Sequence, residues 1–509
     1  MAASREVPLA QLIASLGLQP PPGAADIAVS GISNDTRTLQ RGELYVAVPG
    51  DHVHGAEYIQ QAVTKGAGAV VTERPTEADM AVPCVLVPDA RKALSRLSAE
   101  FWGHPSRELR VVGITGTDGK TTTTFMTTAV LEAGGFSTGF ISTVDVKVGD
   151  RQWAHSDRTT TPQPPTLHRL LREMVDAGNS HSVIESSSHG LRLSRLDDVA
   201  YDTAVLTNVT SEHLELHGTV EQYRLDKARL FTMLGRGPDK GGGKFGIVNA
   251  DDPSADLFLR ATAGPTMTYG TYRYADVVAE EVTQTPHGLR FHVQAGQHGA
   301  ALVELPMLGA YNVYNALAAL CVGLTEGIPL DRCRDALQSF RGVPGRMEQV
   351  REGQPFRVVV DYAHTADALS KVLRTLRAAT EGSLIVVFGS AGERDRPKRP
   401  EMGAVAARQA NYAFITNEDP RGEDEMAILR EIAAGAEAAG AVEGMDFALI
   451  PDRREAIREA FRRAQPGDVV LLAGKGHEQS IELADRRIAW SDAGVAKELL
   501  QHLSLSSGA

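Results

Sequence analysis

The sequence predicts an α/β protein of three domains: a small N-terminal α/β domain, a central doubly wound sheet like that of P-loop ATPases, and a C-terminal Rossmann-like sheet. The chain has 509 residues, enough for three domains at about 150 residues each. Short apolar runs alternate with helix-like segments along most of it. Gly accounts for 49 of the 509 residues, roughly one in ten against the usual ~7%. This excess indicates many tight strand-to-helix turns.

Composition and charge exclude several classes of protein. Hydrophobic residues make up 42% of the chain and charged residues 23%, a mixture too apolar for a disordered chain and typical of a soluble globular protein. The 52 Lys and Arg residues against 64 Asp and Glu give a net charge of -12. No overall positive field therefore attracts nucleic acid or anionic lipid, and we expect no nucleic-acid partner.

Cysteine usage and the N-terminus favour the cytoplasm. Cys84, Cys321 and Cys333 are widely spaced, so they support neither a disulfide framework nor a zinc knuckle. The N-terminal stretch MAASREVPLAQLIASLGL has an early Arg and Glu and no unbroken apolar core, which argues against a signal peptide. No apolar run approaches the ~20 residues of a membrane span. We expect a cytoplasmic protein without membrane insertion, and a monomer.

Strand-like runs divide the chain into three regions. Residues 1–103 contain the runs ELYVAVPG, AGAVVTE and PCVLVPD. Residues 104–343 contain RVVGIT, HSVIES, DTAVLTN and FGIVNADD, each followed by polar residues, as expected of parallel strands that present binding residues at their C-terminal ends. Residues 344–509 contain RVVVDYAH, SLIVVFGS, YAFITNED and DVVLLAGKGH, which alternate with helical stretches such as EMAILREIAAGAEAAG.

A glycine-rich loop follows the first strand of the central region. Its glycines let backbone N–H groups converge on phosphate oxygens, and the N-terminus of the next helix adds partial positive charge. Lys120 can neutralise the β- and γ-phosphates, and Thr121 can coordinate magnesium. Position 114 is Ile, so the strict G-x-x-x-x-G-K-T pattern is not met, and a chance Lys in a turn is the plain alternative. The strand-loop-helix context favours ATP binding by Gly116, Thr117, Asp118, Gly119, Lys120, Thr121 and Thr122.

A possible metal site lies further along the chain. Glu185 ends the predicted strand HSVIES, and a carboxylate at such a position beside a nucleotide site is a reasonable magnesium ligand. His213 follows in TSEHLELHG and Lys227 in YRLDKARLF. A lone His or Lys more often packs or caps than binds a metal.

The loop G-T-D-G-K-T-T after the strand V-V-G-I-T resembles the ATP loop of the Mur ligases, the amide-forming enzymes that build the peptide of bacterial cell-wall precursors. Matching blocks follow in family order from about residue 29 to about residue 492. The resemblance implies that His213 binds a second magnesium and that Lys227 is carbamylated by carbon dioxide. A carbamate turns an ammonium into a carboxylate-like anion, which requires a sheltered lysine that can lose its proton. Glu212 replaces the family's usual Asp.

The resemblance assigns further contacts to ATP and to the nucleotide-linked substrate. Asn315, in YNVYNAL, matches an asparagine placed against adenine, whereas Arg346 and Asp361 match residues that close over the phosphates and ribose. A strand-ending Asp361 and a linker Arg346 are the plain alternative. Contacts to the UDP-muramoyl peptide are implied for Thr36, Thr160, Thr161, Ser187 and Arg195. Thr36 replaces a Ser, and Leu193 replaces a Gln seen in some members.

The C-terminal blocks resemble those of the family members that join a diamino acid to UDP-N-acetylmuramoyl-L-alanyl-D-glutamate. The block reads E-D-P-R where those members have D-N-P-R, so Asp419 places an acceptor-only group at the distal end of the amino acid. Two retained arginines suit a carboxylate, which favours meso-diaminopimelate, while L-lysine and L-ornithine stay open. The implied amino-acid contacts are Arg394, Glu418, Asp419, Pro420, Arg421, Gly474 and Glu478.

The resemblance thus implies an ATP- and magnesium-dependent amide ligase of peptidoglycan precursor synthesis that works through an acyl phosphate. A sister ligase of the folylpolyglutamate or cyanophycin type is one alternative, but it lacks D-Y-A-H-T and G-K-G-H-E. A non-catalytic, nucleotide-gated binding protein is another, but it need not retain Lys120, Glu185, His213 and Lys227 together. Retention of all four favours catalysis.

Overall fold

The computed structural model describes residues 5–50, 53–75, 80–155, 159–210, 217–272, 274–285 and 288–506. The chain divides into two compact units. The first unit comprises Met1–Glu280, Val293–Ala301 and Tyr314–Leu337, and the second comprises Glu281–His292, Leu302–Val313 and Gln338–Ala509. Among the helices of the described ranges, none has the length and apolarity needed to cross a membrane.

The N-terminal region of the first unit is a small α/β sheet. Strands β1 (Val7–Pro8) and β2 (Ala28–Val29) pair antiparallel. A four-stranded sheet, parallel throughout, contains β3 (Ile32–Ser33), β4 (Leu44–Ala47), β5 (Ala69–Thr72) and β6 (Cys84–Leu86). The helices are α1 (Leu9–Ser15), α2 (Ile59–Thr64) and α3 (Ala90–Phe101). The side chain of Asp89 caps α3 by accepting from Lys92 N, as an N-cap carboxylate does.

The central sheet has eleven strands in the order β10-β9-β8-β11-β7-β12-β13-β14-β15-β16-β17. The six from β8 to β14 in this order are parallel to one another. The strands are β7 (Arg110–Thr115), β8 (Thr138–Ile141), β9 (Asp145–Val148), β10 (Arg151–Ala154), β11 (His181–Glu185), β12 (Thr203–Leu206), β13 (Phe245–Asn249), β14 (Thr266–Gly270), β15 (Val277–Thr285), β16 (Gly288–Gln294) and β17 (Ala300–Leu305).

Helices connect these parallel strands, as in a doubly wound sheet. They are α4 (Lys120–Ala133), α5 (Pro164–Asp176), α6 (Ser188–Arg192), α7 (Val220–Met233) and α8 (Ala255–Ala261). Two further helices, α9 (Tyr311–Thr325) and α10 (Leu330–Gln338), follow β17. Because β11 and β12 flank β7, the C-terminal ends of these three strands lie side by side. This is the edge at which such sheets bind ligands.

The second unit contains a six-stranded sheet in the order β18-β19-β23-β20-β21-β22, parallel except for β18 with β19. The strands are β18 (Glu348–Val350), β19 (Arg357–Asp361), β20 (Leu384–Phe388), β21 (Tyr412–Ile415), β22 (Phe447–Leu449) and β23 (Val469–Ala473), followed by the hairpin β24 (Ser480–Glu482) and β25 (Arg487–Ala489). The helices are α11 (Ala366–Ala378), α12 (Lys398–Gln409), α13 (Glu425–Ala438), α14 (Arg453–Arg463) and α15 (Asp492–Ser506).

Helices cover both faces of this second sheet. Along β19, Val359 belongs to one apolar core, whereas Val358 and Val360 belong to the other. Successive side chains of a strand point to opposite faces, so a continuous run of valines buries both. The predicted α/β fold with doubly wound and Rossmann-like sheets is therefore confirmed. Sequence analysis did not predict the hairpin of β9 and β10 or the extension through β15 to β17.

Candidate active site

The phosphate loop runs from the end of β7 to the start of α4. Gly116 has a φ of 153°, and Gly119, which caps α4, has a φ of 83°, values that L side chains rarely adopt. A Cβ on Gly119 would also collide with Asn315 Oδ1. Glycine is therefore required for this loop to lead into the N-terminus of α4, where backbone N–H groups favour phosphate.

The segment after β12 holds the loop in place. Thr117 N donates to Asn208 O at 2.8 Å, and Asp118 N donates to Asn208 Oδ1 at 3.0 Å. Thr207 Oγ1 donates to Asp118 O at 2.7 Å. Sequence analysis gave Thr207 and Asn208 no role. The signal that marks them is their position directly after the predicted strand DTAVLTN, beside the strand that carries the loop.

Two predicted catalytic lysines meet at one carbonyl oxygen. Lys120 Nζ donates to Gly116 O at 3.0 Å and to Thr117 O at 2.7 Å, and Lys227 Nζ donates to Gly116 O at 2.6 Å. Lys227 is 1% exposed, and its Nζ lies 4.3 Å from the ring centroid of Tyr223, a favourable cation–π arrangement. The fold thus brings Lys227 of α7 to the phosphate loop.

The other predicted ATP contacts of the first unit surround the start of α4. Thr121 and Thr122 form its first turn and are buried. Asn315, on α9, is also buried, and its Oδ1 accepts from Thr123 Oγ1 at 3.2 Å. Asn315 is therefore beside the loop, whereas its contact with adenine stays a prediction.

Glu185 ends β11 and is fully buried. Its Oε1 accepts from Thr143 N at 3.0 Å and its Oε2 from Thr143 Oγ1 at 2.9 Å. Thr143 Oγ1 also lies 3.1 Å from Thr160 Oγ1. Sequence analysis missed Thr143, although it follows β8, the neighbour of β11, and a search of polar residues after every central strand would have found it.

Residues predicted to contact the muramoyl peptide bond to one another beside Glu185. Thr161 Oγ1 donates to Glu185 O at 2.8 Å and lies 2.9 Å from Ser187 Oγ. Arg195 donates through Nη1 to Thr161 O at 2.8 Å. Thr160 joins these residues through Thr143, which contacts both Thr160 Oγ1 and Glu185 Oε2. We call the set the peptide group: Thr160, Thr161, Glu185, Ser187 and Arg195.

His217 links α7 to α6. Its Nδ1 lies 2.7 Å from Asp226 Oδ2 and its Nε2 lies 3.2 Å from Ser188 Oγ. All three side chains are buried. Since Asp226 precedes Lys227 and Ser188 follows Ser187, this chain of contacts fixes the helix with Lys227 relative to the peptide group.

The predicted metal ligands are only partly described. His213 lies in residues 211–216, outside the described residues. The described ranges contain no group of three or more His, Cys, Asp or Glu side chains placed to hold a metal. Glu185 and Thr121 nevertheless offer a carboxylate and a hydroxyl, the hard oxygen donors that suit Mg²⁺. Magnesium binding by Thr121, Glu185, His213 and Lys227 stays a prediction.

Thr36, the predicted uridine-side contact, lies between β3 and β4 and is buried. Its Oγ1 donates to Gln61 Oε1 at 2.8 Å, and its carbonyl oxygen accepts from Lys65 Nζ at 2.6 Å. Gln61 of α2 thus orients the hydroxyl, and Lys65, the C-terminal cap of α2, holds the main chain of Thr36.

In the second unit, Asp361 organises the turn that contains Arg346. Asp361 Oδ2 accepts from Met347 N at 2.8 Å and its Oδ1 from Ala363 N at 2.9 Å. Burial raises the pKa of this carboxyl, and the charge of Arg346 opposes the rise. The Arg346 guanidinium lies 4.8 Å from the Tyr362 ring centroid. The two predicted ATP contacts of this unit are therefore neighbours.

The predicted amino-acid residues other than Arg394 lie after the C-terminal ends of β21 and β23, whereas Arg394 follows β20. Lys475 Nζ, 1% exposed at its side chain, lies 2.8 Å from Asp419 Oδ1 and 2.5 Å from Glu478 Oε2. Glu482 N also donates to Asp419 Oδ1, at 2.9 Å. Sequence analysis gave Lys475 no role, although it lies inside the quoted block G-K-G-H-E. Asp419 is thus bonded to a cation of the chain itself.

The rest of the amino-acid set differs in burial. Glu418 is buried against Gly474, because a Cβ on that glycine would lie 2.7 Å from Glu418 Oε2. Arg421 has a φ of 52° and pairs with Glu482 at 3.2 Å, whereas Arg394 is exposed. Left-handed backbone at a non-glycine residue is a strained conformation that clusters at functional sites. Pro420 completes the buried turn between Asp419 and Arg421.

Comparison with known proteins identifies the family. Residues 114–323 match the Mur ligase middle domain, residues 345–476 the Mur ligase glutamate ligase domain, and residues 28–102 the catalytic domain of the Mur ligase family. A UDP-N-acetylmuramyl-tripeptide synthetase of Roseiflexus sp. (strain RS-1) is 51% identical over 484 residues, which cover 93% of this chain and 95% of that protein. The chain belongs to the Mur ligase family.

Other Mur ligases match this chain over a similar share of their length. A UDP-N-acetylmuramoyl-L-alanyl-D-glutamate--2,6-diaminopimelate ligase of Geobacillus kaustophilus (strain HTA426) is 42% identical over 469 residues, 92% of this chain and 94% of that protein. A solved structure of a ligase with the same name matches with a TM-score of 0.67 and 30% identity, over 98% of this chain and 99% of that one. The predicted family and fold are therefore confirmed, and this Mur ligase is an ATP-dependent amide ligase.

Proposed function

We propose that this Mur ligase joins a diamino acid to the D-glutamate of UDP-N-acetylmuramoyl-L-alanyl-D-glutamate, and we favour meso-diaminopimelate over L-lysine and L-ornithine. The observation that supports this most is the peptide group, in which the predicted muramoyl-peptide contact Thr161 donates to the main-chain oxygen of the predicted metal ligand Glu185 and also contacts Ser187 and Arg195. The tripeptide synthetase and the diaminopimelate ligase described above are 51% and 42% identical to this chain.

ATP activates the D-glutamate carboxylate, because an amine does not displace a carboxylate oxygen directly. The γ-phosphate passes to the carboxylate, giving an acyl phosphate and ADP; the amine nitrogen then attacks the carbonyl carbon, the C–N bond forms, and phosphate leaves. Lys120, fixed at the loop by Gly116 O and Thr117 O, supplies positive charge for the transferring phosphoryl group. The proposed ATP contacts are Gly116, Thr117, Asp118, Gly119, Lys120, Thr121, Thr122, Asn315, Arg346 and Asp361.

The donor set of the first unit fits magnesium. Glu185 presents a buried carboxylate that Thr143 holds at both oxygens, and Thr121 presents a hydroxyl. Bound Mg²⁺ neutralises charge on the phosphoryl group. Carbamylation requires a sheltered lysine, and Lys227 is 1% exposed. Its nitrogen would attack the carbon of CO2 and release a proton, which gives an anion where an ammonium stood. We propose His213 as a further ligand.

The peptide group binds the muramoyl peptide and Thr36 the uridine side. Arg195 Nη1 bonds Thr161 O and also Thr159 Oγ1, at 3.1 Å, so its role includes holding the two threonines in place. Ser187 Oγ accepts from Gly190 N at 3.1 Å and caps α6. The Thr161 and Ser187 hydroxyls also contact each other, and Thr143 Oγ1 holds that of Thr160 at 3.1 Å. Hydroxyls held in fixed positions favour recognition of a polar peptide substrate.

The second unit carries the amino-acid contacts. Arg394 and Arg421 offer guanidiniums for a distal carboxylate, and Glu418, Asp419 and Glu478 offer acceptors for an ammonium. Pro420 and Gly474 shape the backbone around them.

We further propose three domains, residues 1–103, 104–343 and 344–509, and a cytoplasmic monomer. Limited proteolysis at the two boundaries and sedimentation of the purified chain test these points.

One assay separates the proposed reaction from its alternatives. The purified protein is incubated with ATP, Mg²⁺, the UDP-muramoyl dipeptide and one amino acid at a time: meso-diaminopimelate, L-lysine, L-ornithine or L-alanine. We expect phosphate release and a tripeptide mass only with the dipeptide and a diamino acid. Turnover with a folate acceptor in place of the dipeptide supports a sister ligase, and ATP binding without any turnover supports a binding protein.

A further inference from the structure

Arg453, the first residue of α14, is a buried arginine that none of the assignments above includes. Its side chain is 1% exposed, and that of its partner Asp492, the first residue of α15, is 0% exposed. Arg453 Nε donates to Asp492 Oδ1 at 2.8 Å and Nη2 donates to Asp492 Oδ2 at 2.6 Å. This is a bidentate pair, the strongest and most directional form of Arg–carboxylate contact.

The remaining donors of Arg453 reach two strand ends. Nη1 donates to Asn417 O at 3.1 Å, and Nη2 donates to Ala473 O at 2.8 Å. Asn417 directly precedes Glu418, and Ala473, the last residue of β23, directly precedes Gly474. One guanidinium therefore bonds the chain immediately before each of the two amino-acid loops, residues 418–421 and 474–478.

The sheet itself does not join these two loops. In the strand order, β20 lies between β21 and β23, so no ladder hydrogen bond connects the strands that lead into the loops. Arg453 spans this gap from the C-terminal end of the sheet. The planar, rigid guanidinium fork fixes both carbonyls in one geometry, which a flexible lysine would not do.

Asp492 is itself oriented. Trp490 Nε1 donates to Asp492 Oδ1 at 2.8 Å, so Oδ1 accepts from both the indole and the guanidinium, and Oδ2 accepts from the guanidinium. The chain from Trp490 through Asp492 to Arg453 thus connects the start of α15 to both loops.

The charge of Arg453 also acts on the loops. Burial raises the pKa of the Glu418 carboxyl, and the positive charges of Lys398, Lys475 and Arg453 oppose that rise. Glu418 Oε2 has no hydrogen-bond partner in the described part of the chain. A buried carboxylate in this position depends on nearby fixed cations to stay ionised.

We propose that Arg453 is a positioning residue for the amino-acid substrate: by bonding Asn417 O and Ala473 O together, it sets the spacing of loops 418–421 and 474–478. The inference rests on the proposed function, since it assumes that these loops bind the diamino acid. A purely structural role predicts a lower melting temperature alone, whereas a positioning role predicts a selective effect on the amino acid.

The test compares Arg453→Lys, Trp490→Phe and the control Arg454→Gln. Arg454 is the neighbouring residue and pairs with Glu498 on the surface. For each protein, KM is measured for the diamino acid, for ATP and for the UDP-muramoyl dipeptide, together with kcat and the melting temperature. We expect Arg453→Lys to raise KM for the diamino acid about tenfold, the size of a lost charge-assisted hydrogen bond, and to leave the other two KM values within about twofold.

Trp490→Phe removes one hydrogen bond to Asp492 and should raise KM for the diamino acid by a smaller factor. Arg454→Gln should leave all three KM values unchanged. If Arg453→Lys does not fold, Trp490→Phe decides. Equal rises in all three KM values, or a lower melting temperature with unchanged KM values, overturn the inference. The wild type is assayed alongside: its failure to ligate any diamino acid overturns the proposed function as well, whereas a working wild type confines a negative result to Arg453.

Discussion

Lys475 neutralises Asp419: the Lys475 ammonium lies 2.8 Å from Asp419 Oδ1 and is almost completely buried. The same ammonium lies 2.5 Å from Glu478 Oε2. Two of the acids that we propose as acceptors for the substrate's ammonium are therefore already in contact with a lysine of the chain. The net charge presented to the proposed substrate is therefore that of Lys475, Asp419 and Glu478 together, not that of Asp419 alone.

Asp419→Asn should therefore shift substrate preference through net charge. Loss of one negative charge beside Lys475 favours a substrate with a distal carboxylate, so kcat/KM for meso-diaminopimelate should rise relative to that for L-lysine. We expect a change in the ratio equivalent to roughly 1–3 kcal/mol, the value of one buried polar contact. The double variant Asp419→Asn/Lys475→Met restores the charge and should return the ratio toward wild type. The exposed Asp485→Asn is the control, and an unchanged ratio shows that residue 419 does not sense the distal group.

The Lys475–Asp419 pair also shows where sequence reasoning stops. The strands and the loops after them were predictable, because β-branched runs followed by Gly and polar residues have a local signature. The pairing of residues 56 positions apart depends on β21 and β23 ending at the same edge with β20 between them. No local pattern contains that information. The same limit explains the missed Arg453, which acts through segments distant in sequence.

Thr143→Val tests the support of Glu185. The change removes the hydroxyl that bonds Glu185 Oε2 at 2.9 Å but leaves the backbone N–H that bonds Oε1, so the carboxylate loses one of the two bonds by which Thr143 orients it. Partners that orient metal ligands typically contribute 10–100-fold in affinity or activity, and we expect a loss of about that size in apparent Mg²⁺ affinity, measured by titrating phosphate release. Thr143→Ser retains the hydroxyl and should behave as wild type. Identical magnesium curves for the two variants contradict the role.

Lys120→Ala should abolish ligation while the protein stays folded. Two carbonyls of the loop hold the Lys120 ammonium in place. Its loss removes the cation that we propose for the transferring phosphate. Electrostatic contacts of this kind are typically worth ~10²-fold or more in rate. Phosphate release and circular dichroism measure the two properties. The exposed Lys92→Ala, whose lysine pairs with Asp89 on the surface, is the matched control. Near wild-type turnover of Lys120→Ala shows that ATP binds elsewhere.

Lys227→Ala tests carbamylation. The variant should be nearly inactive, and a short carboxylic acid such as acetate should restore part of the activity without bicarbonate, because it supplies an anion in the space left by the side chain. Lys227→Arg keeps the positive charge, cannot form the carbamate in the same way, and should not be rescued. The wild type should lose activity in CO2-free buffer. Full wild-type activity without CO2, together with no rescue by acetate, contradicts a carbamate at Lys227.

His168 should make the folded state less stable in mild acid. It lies on α5, fully buried, and neither ring nitrogen has a hydrogen-bond partner in the described residues. Burial lowers the pKa of His168 to about 3 from an ordinary value of 6.5. Because the folded state keeps this ring neutral while the unfolded chain protonates it, the unfolded state binds more protons below pH 6.5, and stability falls as the pH drops toward 3.

The free energy of unfolding should therefore decrease by about 1.4 kcal/mol per pH unit between roughly pH 6 and 4 from this residue alone. His168→Leu removes the titrating group, so its urea-unfolding curves should depend less on pH in that interval, whatever its stability at pH 7.5. His298→Asn, at an exposed histidine, is the control and should follow the wild-type pH dependence. Parallel pH dependence for His168→Leu and wild type means that His168 does not take up a proton on unfolding.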